Sequence, residues 1–586
     1  MKQFFKFVFA SMLGFIFTAI LFIIIFITGI TAIVSSSKDK VEVSDNTVLH
    51  LNLSLPIIER SANNPLNNLD IGPFKGDKVL GLDDILKSIK NAKQDDHIKG
   101  IYLDVSFMTT GFASIEEIRD ALIDFKKSGK FIIAYSEVYT QGAYYVASVA
   151  NKVYLNPQGI LELKGLSSEI TFYKGALDKL NIEAQVIKVG TYKSAVEPFI
   201  LDKMSDANRM QTTALLGSLY QHFTAEIAKS RNISPDTVIE IANNLKSSSP
   251  EDAVKYKLVD ALKYKDQILD ELKSDAGLSK DDKLKTIGVT EYANSIKDDR
   301  SAADKIAVIY ANGDINGGEG DENSIGSETI SRALRKARLD NKIKAVVFRV
   351  NSPGGSSLAS DVIWREVMLT KKVKPIVVSM GDYAASGGYY ISCAADSIYA
   401  EPNTITGSIG VFAIIPNLKG FFNEKLGITF DNVKTGQYAD LGDITRPLSP
   451  AEKMIMQKEV NRTYADFTQK VAEGRHISQT YVDSIGQGRV WTGEQAIKIG
   501  LVDKLGHLDD AIASAAKKAG VKSYQIVDYP EIKDNFFGLL DDSGDKIKTY
   551  ITKQQLGVSY PYYEQLKEIT EMKGLQARIP FKLNIQ

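Results

Sequence analysis

Much of this chain is written twice, and that constrains its fold more than anything else in it. At an offset of 245 residues, Ile98-Lys99-Gly100 matches Ile343-Lys344-Ala345, and Gly142-Ala143-Tyr144-Tyr145 matches Gly387-Gly388-Tyr389-Tyr390. Val153-Tyr154 ahead of Pro157 likewise matches Ile398-Tyr399 ahead of Pro402. Further on, Phe223 pairs with Phe467 and Ile233-Ser234 with Ile477-Ser478 at 244, then Leu258-Val259-Asp260 with Leu501-Val502-Asp503 at 243. Residues of about 81–265 and 326–508 are therefore two copies of one unit, and whatever that unit folds into is built twice.

Each copy alternates apolar, β-rich runs with amphipathic segments. Gly100–Val105 and Phe131–Ala134 read as strands. Between them, Ser114-Ile115-Glu116-Glu117 has the form of a capping box, opening a helix with Ile118, Ala121, Leu122 and Phe125 on one face. The second copy repeats the order, with strands at Ala345–Val350 and Pro375–Ser379 and a helix at Asp361–Leu369. Strands alternating with helices predict an α/β fold of parallel βαβ units.

Ahead of the repeats, 28 residues from Phe7 to Val34 carry no charge, more than the roughly 20 that a membrane-crossing helix needs. The spacing predicts a cytoplasmic tail (1–6) and a transmembrane signal anchor (7–34), with Lys2 and Lys6 holding the tail inside and the rest exported. A cleaved leader is the alternative, with Ser35-Ser36-Ser37 as a weak cleavage site. The remainder divides into 35–300, 301–525 and a C-terminal extension, 526–586, to which no chemistry attaches.

With 71 basic and 72 acidic residues the net charge is −1, which argues against a nucleic-acid partner. A single cysteine, Cys393, excludes internal disulfides and multi-cysteine metal sites, so neither metal nor cofactor is expected. Cys393, seven residues past Ser386, is expected to be a buried structural thiol.

Where two copies diverge at matched positions, one of them can carry function. In Gly381-Asp382-Tyr383-Ala384-Ala385-Ser386-Gly387-Gly388, the second copy has Ser386 where the first has Gln141. In Val189-Gly190-Thr191-Tyr192-Lys193-Ser194, the first copy has Lys193 where the second has Gln437. Ser386 sits among small residues at a strand-to-helix turn, which suits either an exposed nucleophile or an N-cap. The loop Asn351-Ser352-Pro353-Gly354-Gly355-Ser356 offers amides that, with Gly387, can form an oxyanion hole. None of His50, His97, His222, His476 or His507 lies in a matched, glycine-framed segment, so the candidate base is Lys193, made neutral by burial, unless it is a surface lysine.

These motifs resemble the signal peptide peptidase A (protease IV) family in its large tandem-repeat form. Gly190-Thr191-Tyr192-Lys193-Ser194-Ala195-Val196-Glu197-Pro198-Phe199 is similar to that family's general-base motif, and Ala384-Ala385-Ser386-Gly387-Gly388-Tyr389-Tyr390 to its nucleophile motif. The resemblance implies two tandem Clp/crotonase-like βαβ superhelical domains after one transmembrane helix. It implies Ser386 as nucleophile, Lys193 as base, Gly354, Gly355 and Gly387 at the oxyanion, and Ser408 bonded to the lysine, where the first copy has Leu163. It further implies a homotetramer on the outer face of the cytoplasmic membrane that degrades signal-peptide remnants and other apolar peptides. Two other readings stay open: a crotonase-like acyl-CoA enzyme, whose base would be a carboxylate, and a catalytically silent peptide-binding scaffold.

Overall fold

The computed structural model describes residues 2–36, 42–60, 79–296, 302–321, 324–531, 549, 552–560, 563 and 574–579. Each repeat is a twisted, mainly parallel sheet with helices packed on it. In the first, the strand order is Ala261–Leu262, Lys152–Leu161, Phe131–Tyr139, Ile98–Asp104, Thr47–Asn52, Thr286–Gly288, all parallel. The second repeats it with Ile376–Ala385, Ile343–Ser352, Lys305–Asn312 and Gln525–Tyr529 in parallel, and Val490–Thr492 antiparallel to Ile405–Gly407 at the far edge. The central strands are apolar and buried on both faces, as sheets covered by βα crossovers require.

The helices reach beyond the expected limits: Phe112–Lys126 and Ser357–Lys371 follow the second strand of each repeat. Ser114 and Glu117 do not cap. The helix begins at Phe112 after Gly111, and both residues lie buried one turn inside it. Ser114 instead donates through its backbone N–H (2.9 Å) and Oγ (2.8 Å) to the Asp382 carboxylate. Glu117 meets Arg349 at 2.6 Å, and Arg349 also holds Glu59 at 2.9 Å. The capping pattern thus belongs to a buried polar seam between the repeats, and no local signal distinguishes such residues from a cap.

The two repeats also share a third sheet. Its order is Ser324–Gly326, Asp314–Asn316, Gly354–Ser356, Gln576–Arg578, Val411–Asn417, Glu183–Val189, so one strand comes from the first repeat and one from the C-terminal segment. The C-terminal extension, to which the sequence attaches no chemistry, therefore contributes a strand to the sheet around the candidate site. Cys393 is fully buried, donates to the Tyr390 carbonyl at 3.2 Å, and its thiol is pushed up to about 12 by burial. A helix spans Lys2–Ser36, and Gln3–Phe22 within it is long and apolar enough to cross a membrane, with mean hydropathy 2.1.

Candidate active site

The strand Ile376–Ala385 ends against the helix Gly387–Ser392, and the turn between them is one residue, Ser386. Its backbone lies at φ 55°, ψ −111°, a conformation costly for any residue with a Cβ. Neighbouring contacts impose it: Ser386 N–H donates to the Gly407 carbonyl at 2.8 Å, and the Ser386 carbonyl accepts from Tyr390 N–H at 2.8 Å. The hydroxyl makes no cap bond to the helix, so the strained turn leaves it directed elsewhere. Small neighbours are needed here, since a Cβ at Gly388 would fall 2.6 Å from the Ser352 carbonyl oxygen.

Ser386 Oγ lies 2.9 Å from Lys193 Nζ. The lysine is completely buried, and its amine also contacts Ser408 Oγ and the Ser408 carbonyl oxygen, each at 3.1 Å. A neutral amine has two N–H donors and one lone pair. It can donate twice to Ser408 and accept from the Ser386 hydroxyl, which satisfies all three contacts. Burial, as the sole cause, holds the Lys193 pKa well below the ordinary lysine value. Glu197, four residues on, is engaged elsewhere: its carboxylate accepts from Ser205 Oγ at 2.6 Å and Asn208 Nδ2 at 2.9 Å, steadying the start of the helix Asp206–Arg231.

Ser408 occupies the left-handed region (φ 51°) just after Gly407, and its N–H donates to the Arg489 carbonyl at 2.7 Å. Both oxygens facing the lysine are thereby fixed by one residue. The first repeat has Leu163 at the matching place, and Gln141 fills its serine position: its side chain accepts from Lys164 and Gly165 N–H at 2.9 Å and closes the turn on its own loop.

Of the expected oxyanion glycines, Gly354 has its N–H committed to Ser352 Oγ at 3.2 Å. Gly355, the next residue, is paired with Ala577 on one side and Ile315 on the other. Gly387, first in its helix, has an N–H without an intrahelical acceptor.

Several positioning residues carry no motif. The lysine loop docks on residues 487–490: Tyr192 N–H donates to the Gln487 carbonyl at 2.8 Å, and a Cβ at Gly488 would lie 2.6 Å from Lys193 N. Gln211 Nε2 donates to the Tyr192 carbonyl (3.0 Å) and Ser194 Oγ (2.9 Å) while its Oε1 accepts from Val490 N–H (3.4 Å). The sequence marks these contacts only by the glycine that opens Gly488-Arg489-Val490-Trp491. Among the described residues no group of His, Cys, Asp and Glu is placed to hold a metal ion.

The two α/β repeats match the comparisons with known proteins, and the chain is a serine peptidase acting on peptides. The model of peptidase family S49 matches residues 124–279 and again 368–522, and the chain belongs to that family. It is 41% identical over 470 residues to Protease 4 of Salmonella typhi, covering 78% of this chain and 75% of that protein. It is 34% identical to the chloroplastic serine protease SPPA of Arabidopsis thaliana, covering 85% and 74%. A putative signal peptide peptidase SppA of Enterococcus faecium is 34% identical, covering 41% and 72%. Among solved structures, ClpP1 from Listeria monocytogenes is 19% identical, with a TM-score of 0.23 over 35% of this chain and 92% of that one.

Proposed function

We propose that this chain is a membrane-anchored serine–lysine endopeptidase that degrades apolar peptides, cleaved signal peptides among them. The observation that carries the reading is the fully buried Lys193 amine 2.9 Å from Ser386 Oγ, with no carboxylate beside it to keep it protonated. Lys193 takes the hydroxyl proton as Ser386 Oγ attacks the peptide carbonyl, and returns it to the departing amine. The same lysine then deprotonates the water that hydrolyses the acyl-enzyme. Gly355 and Gly387 N–H groups face the developing oxyanion, worth about 3–4 kcal/mol per donor. Ser408 holds the lysine in place. A thioester-enolate enzyme would need a carboxylate where Lys193 stands, and a silent scaffold would have no reason to hold Ser386 in a strained turn beside it.

The third sheet supports extended peptides as substrates. Gly354–Ser356 and Val411–Asn417 are separated by the width of one strand, so a peptide entering there gains backbone pairing at the oxyanion strand and a neighbour on its other side. The N-terminal helix would place this slot at a bilayer surface, on the outer side if Lys2 and Lys6 hold the tail in the cytoplasm. Assembly into a ring, four copies by resemblance, has support in the duplication. Glu183–Val189 of the first repeat pairs with Val411–Asn417 of the second, but the matching stretch 427–433 has no strand partner among the described residues and leaves Ile428, Phe430 and Val433 exposed, the last at 95%. The equivalent pairing would come from the first repeat of another copy.

Covalent labelling with a fluorophosphonate tests the dyad. Wild type is expected to be labelled at Ser386, and folded Ser386→Ala and Lys193→Ala are expected to stay unlabelled. An assembled wild-type protein that fails to react would refute the reading.

A further inference from the structure

The first repeat also reaches the second where the nucleophile strand leaves its neighbour. Val350 pairs with Met380 and Ser352 with Ala384, so Asn351 alone faces Gly381, Asp382 and Tyr383. A bulge of this kind re-aims a strand, and other groups must replace the ladder bonds it gives up.

Side chains do so here. Asn351 Oδ1 accepts from Tyr383 N–H at 3.0 Å, and its Nδ2 donates to Glu59 Oε1 at 2.9 Å. Glu59 is buried, just past the short strand Ile57–Ile58 of the first repeat, and accepts from Arg349 Nε at 2.9 Å and Nη2 at 3.2 Å. Arg349 and Asn351 are alternate residues of one strand and share a face, so a single carboxylate fixes both. Gly381 makes room for it, since a Cβ there would lie 2.7 Å from Glu59 Oε1. The bulge residue Asp382 is held in turn by Ser114 of the first repeat.

The first copy is tied differently. Its residues at the places of Arg349, Asn351, Gly381 and Asp382 are Asp104, Ser106, Ser136 and Glu137, and Ser106 Oγ meets Ser136 Oγ at 2.8 Å within the repeat. These positions diverge between the copies as Ser386 does. What they control is a separation: Asn351 opens the loop carrying Gly354 and Gly355, while Tyr383 leads into Ser386 and Gly387. The two segments approach so closely that a Cβ on Gly354 would come within 2.9 Å of Gly387 N.

We propose that Glu59 and Asn351 are positioning residues through which the first repeat sets the Ser386 turn against the glycine loop. The proposal rests on the Ser386–Lys193 reading. Exchanging the two groups tests it. Glu59→Gln turns an amide donor onto the donors of Arg349 and Asn351, and Asn351→Asp sets a second carboxylate beside Glu59. Combined, the two substitutions restore one amide and one carboxylate with their places exchanged, and Tyr383 N–H keeps its acceptor. Arg349 retains Glu117, at 2.6 Å, in every variant.

For the full detergent-solubilised chain, kcat, KM and their pH dependence are measured on a quenched fluorescent apolar peptide, with fluorophosphonate labelling alongside. Each single variant is expected to lose on the order of 10² in kcat, with KM and the midpoint of the pH limb unchanged, and the double variant to recover most of that loss. Should Asn351→Asp alone fail to assemble, Glu59→Gln against the double variant still decides. Merely loosened packing would admit water to Lys193, shift the midpoint and leave the double variant no better than the singles; that result would overturn the proposal. A Glu59→Gln enzyme with wild-type kcat, beside a wild type that is labelled at Ser386 and active, would overturn the positioning role and leave the dyad standing. A wild type neither labelled nor active would overturn both.

Discussion

At the scale of single residues, the chemistry depends on what surrounds one amine. Lys193 is completely buried with its amine 6.0 Å from the Phe412 ring centroid, and the oxygens bonded to its nitrogen are neutral. Desolvation therefore lowers its pKa, and a base works only when deprotonated. The kcat/KM for a quenched peptide should accordingly rise with pH along a limb whose midpoint lies below the ordinary lysine value of about 10.4. The stability linkage has a matching sign: the unfolded chain binds this proton more tightly, so stability is gained between the lowered pKa and about 10.4 and lost as pH falls through the lowered pKa. Lys193→Arg separates charge from basicity, because a guanidinium cannot deprotonate. It should cost roughly 10²–10⁴ in kcat/KM, with no recovery at high pH. A rate independent of pH through the neutral and alkaline range in wild type would contradict this assignment.

At the scale of elements, the site depends on close backbone approach. Gly488, at φ 81°, lets the lysine loop sit directly on residues 487–490, and Gln211 bridges both sides. Gly488→Ala should push Lys193 away from Ser386 without touching either group. A displacement near 1 Å costs on the order of 10² in rate. The expected outcome is that loss in kcat/KM with slower fluorophosphonate labelling and an unchanged circular dichroism spectrum; full activity would show that the loop tolerates the shift. How legible these features were follows from their physical origin. Lys193, Ser386 and Ser408 stood out because the duplicated copy lacks them, and the parallel sheets because apolar runs recur at fixed spacing. The Gly488 contact, Gln211 and the role of Ser114 with Asp382 arise from tertiary contacts between residues far apart in sequence, which no local pattern encodes. The strand Gln576–Arg578 is three residues long and gains its structure only from the edges it pairs with.

At the scale of the molecule, the proposed dyad divides one site between two folds. The first repeat supplies Lys193 and plugs its own serine position with Gln141. The second supplies Ser386, and its lysine position, Gln437, lies in an exposed loop. Neither half can stand in for the other, because the site sheet itself crosses the boundary: Glu183–Val189 pairs with Val411–Asn417 over seven residues. The seam adds Arg349 with Glu59 and Glu117, and Asp382 with Ser114, buried charges whose partners lie on the other repeat. Removing one partner of such a group costs about 3–5 kcal/mol, since the remaining charge is left buried and unpaired. Produced separately, residues 42–296 and 302–586 should therefore each fail to hydrolyse peptides, and Ser386 in the second should resist fluorophosphonate because no amine is there to activate it. Co-expressed, the halves should copurify and regain labelling at Ser386, since the pairing and the seam need no covalent link between them. Peptidase activity in either half alone, abolished by mutation of its own residues, would show that one repeat contains a complete site and that the lysine assigned here is not the base.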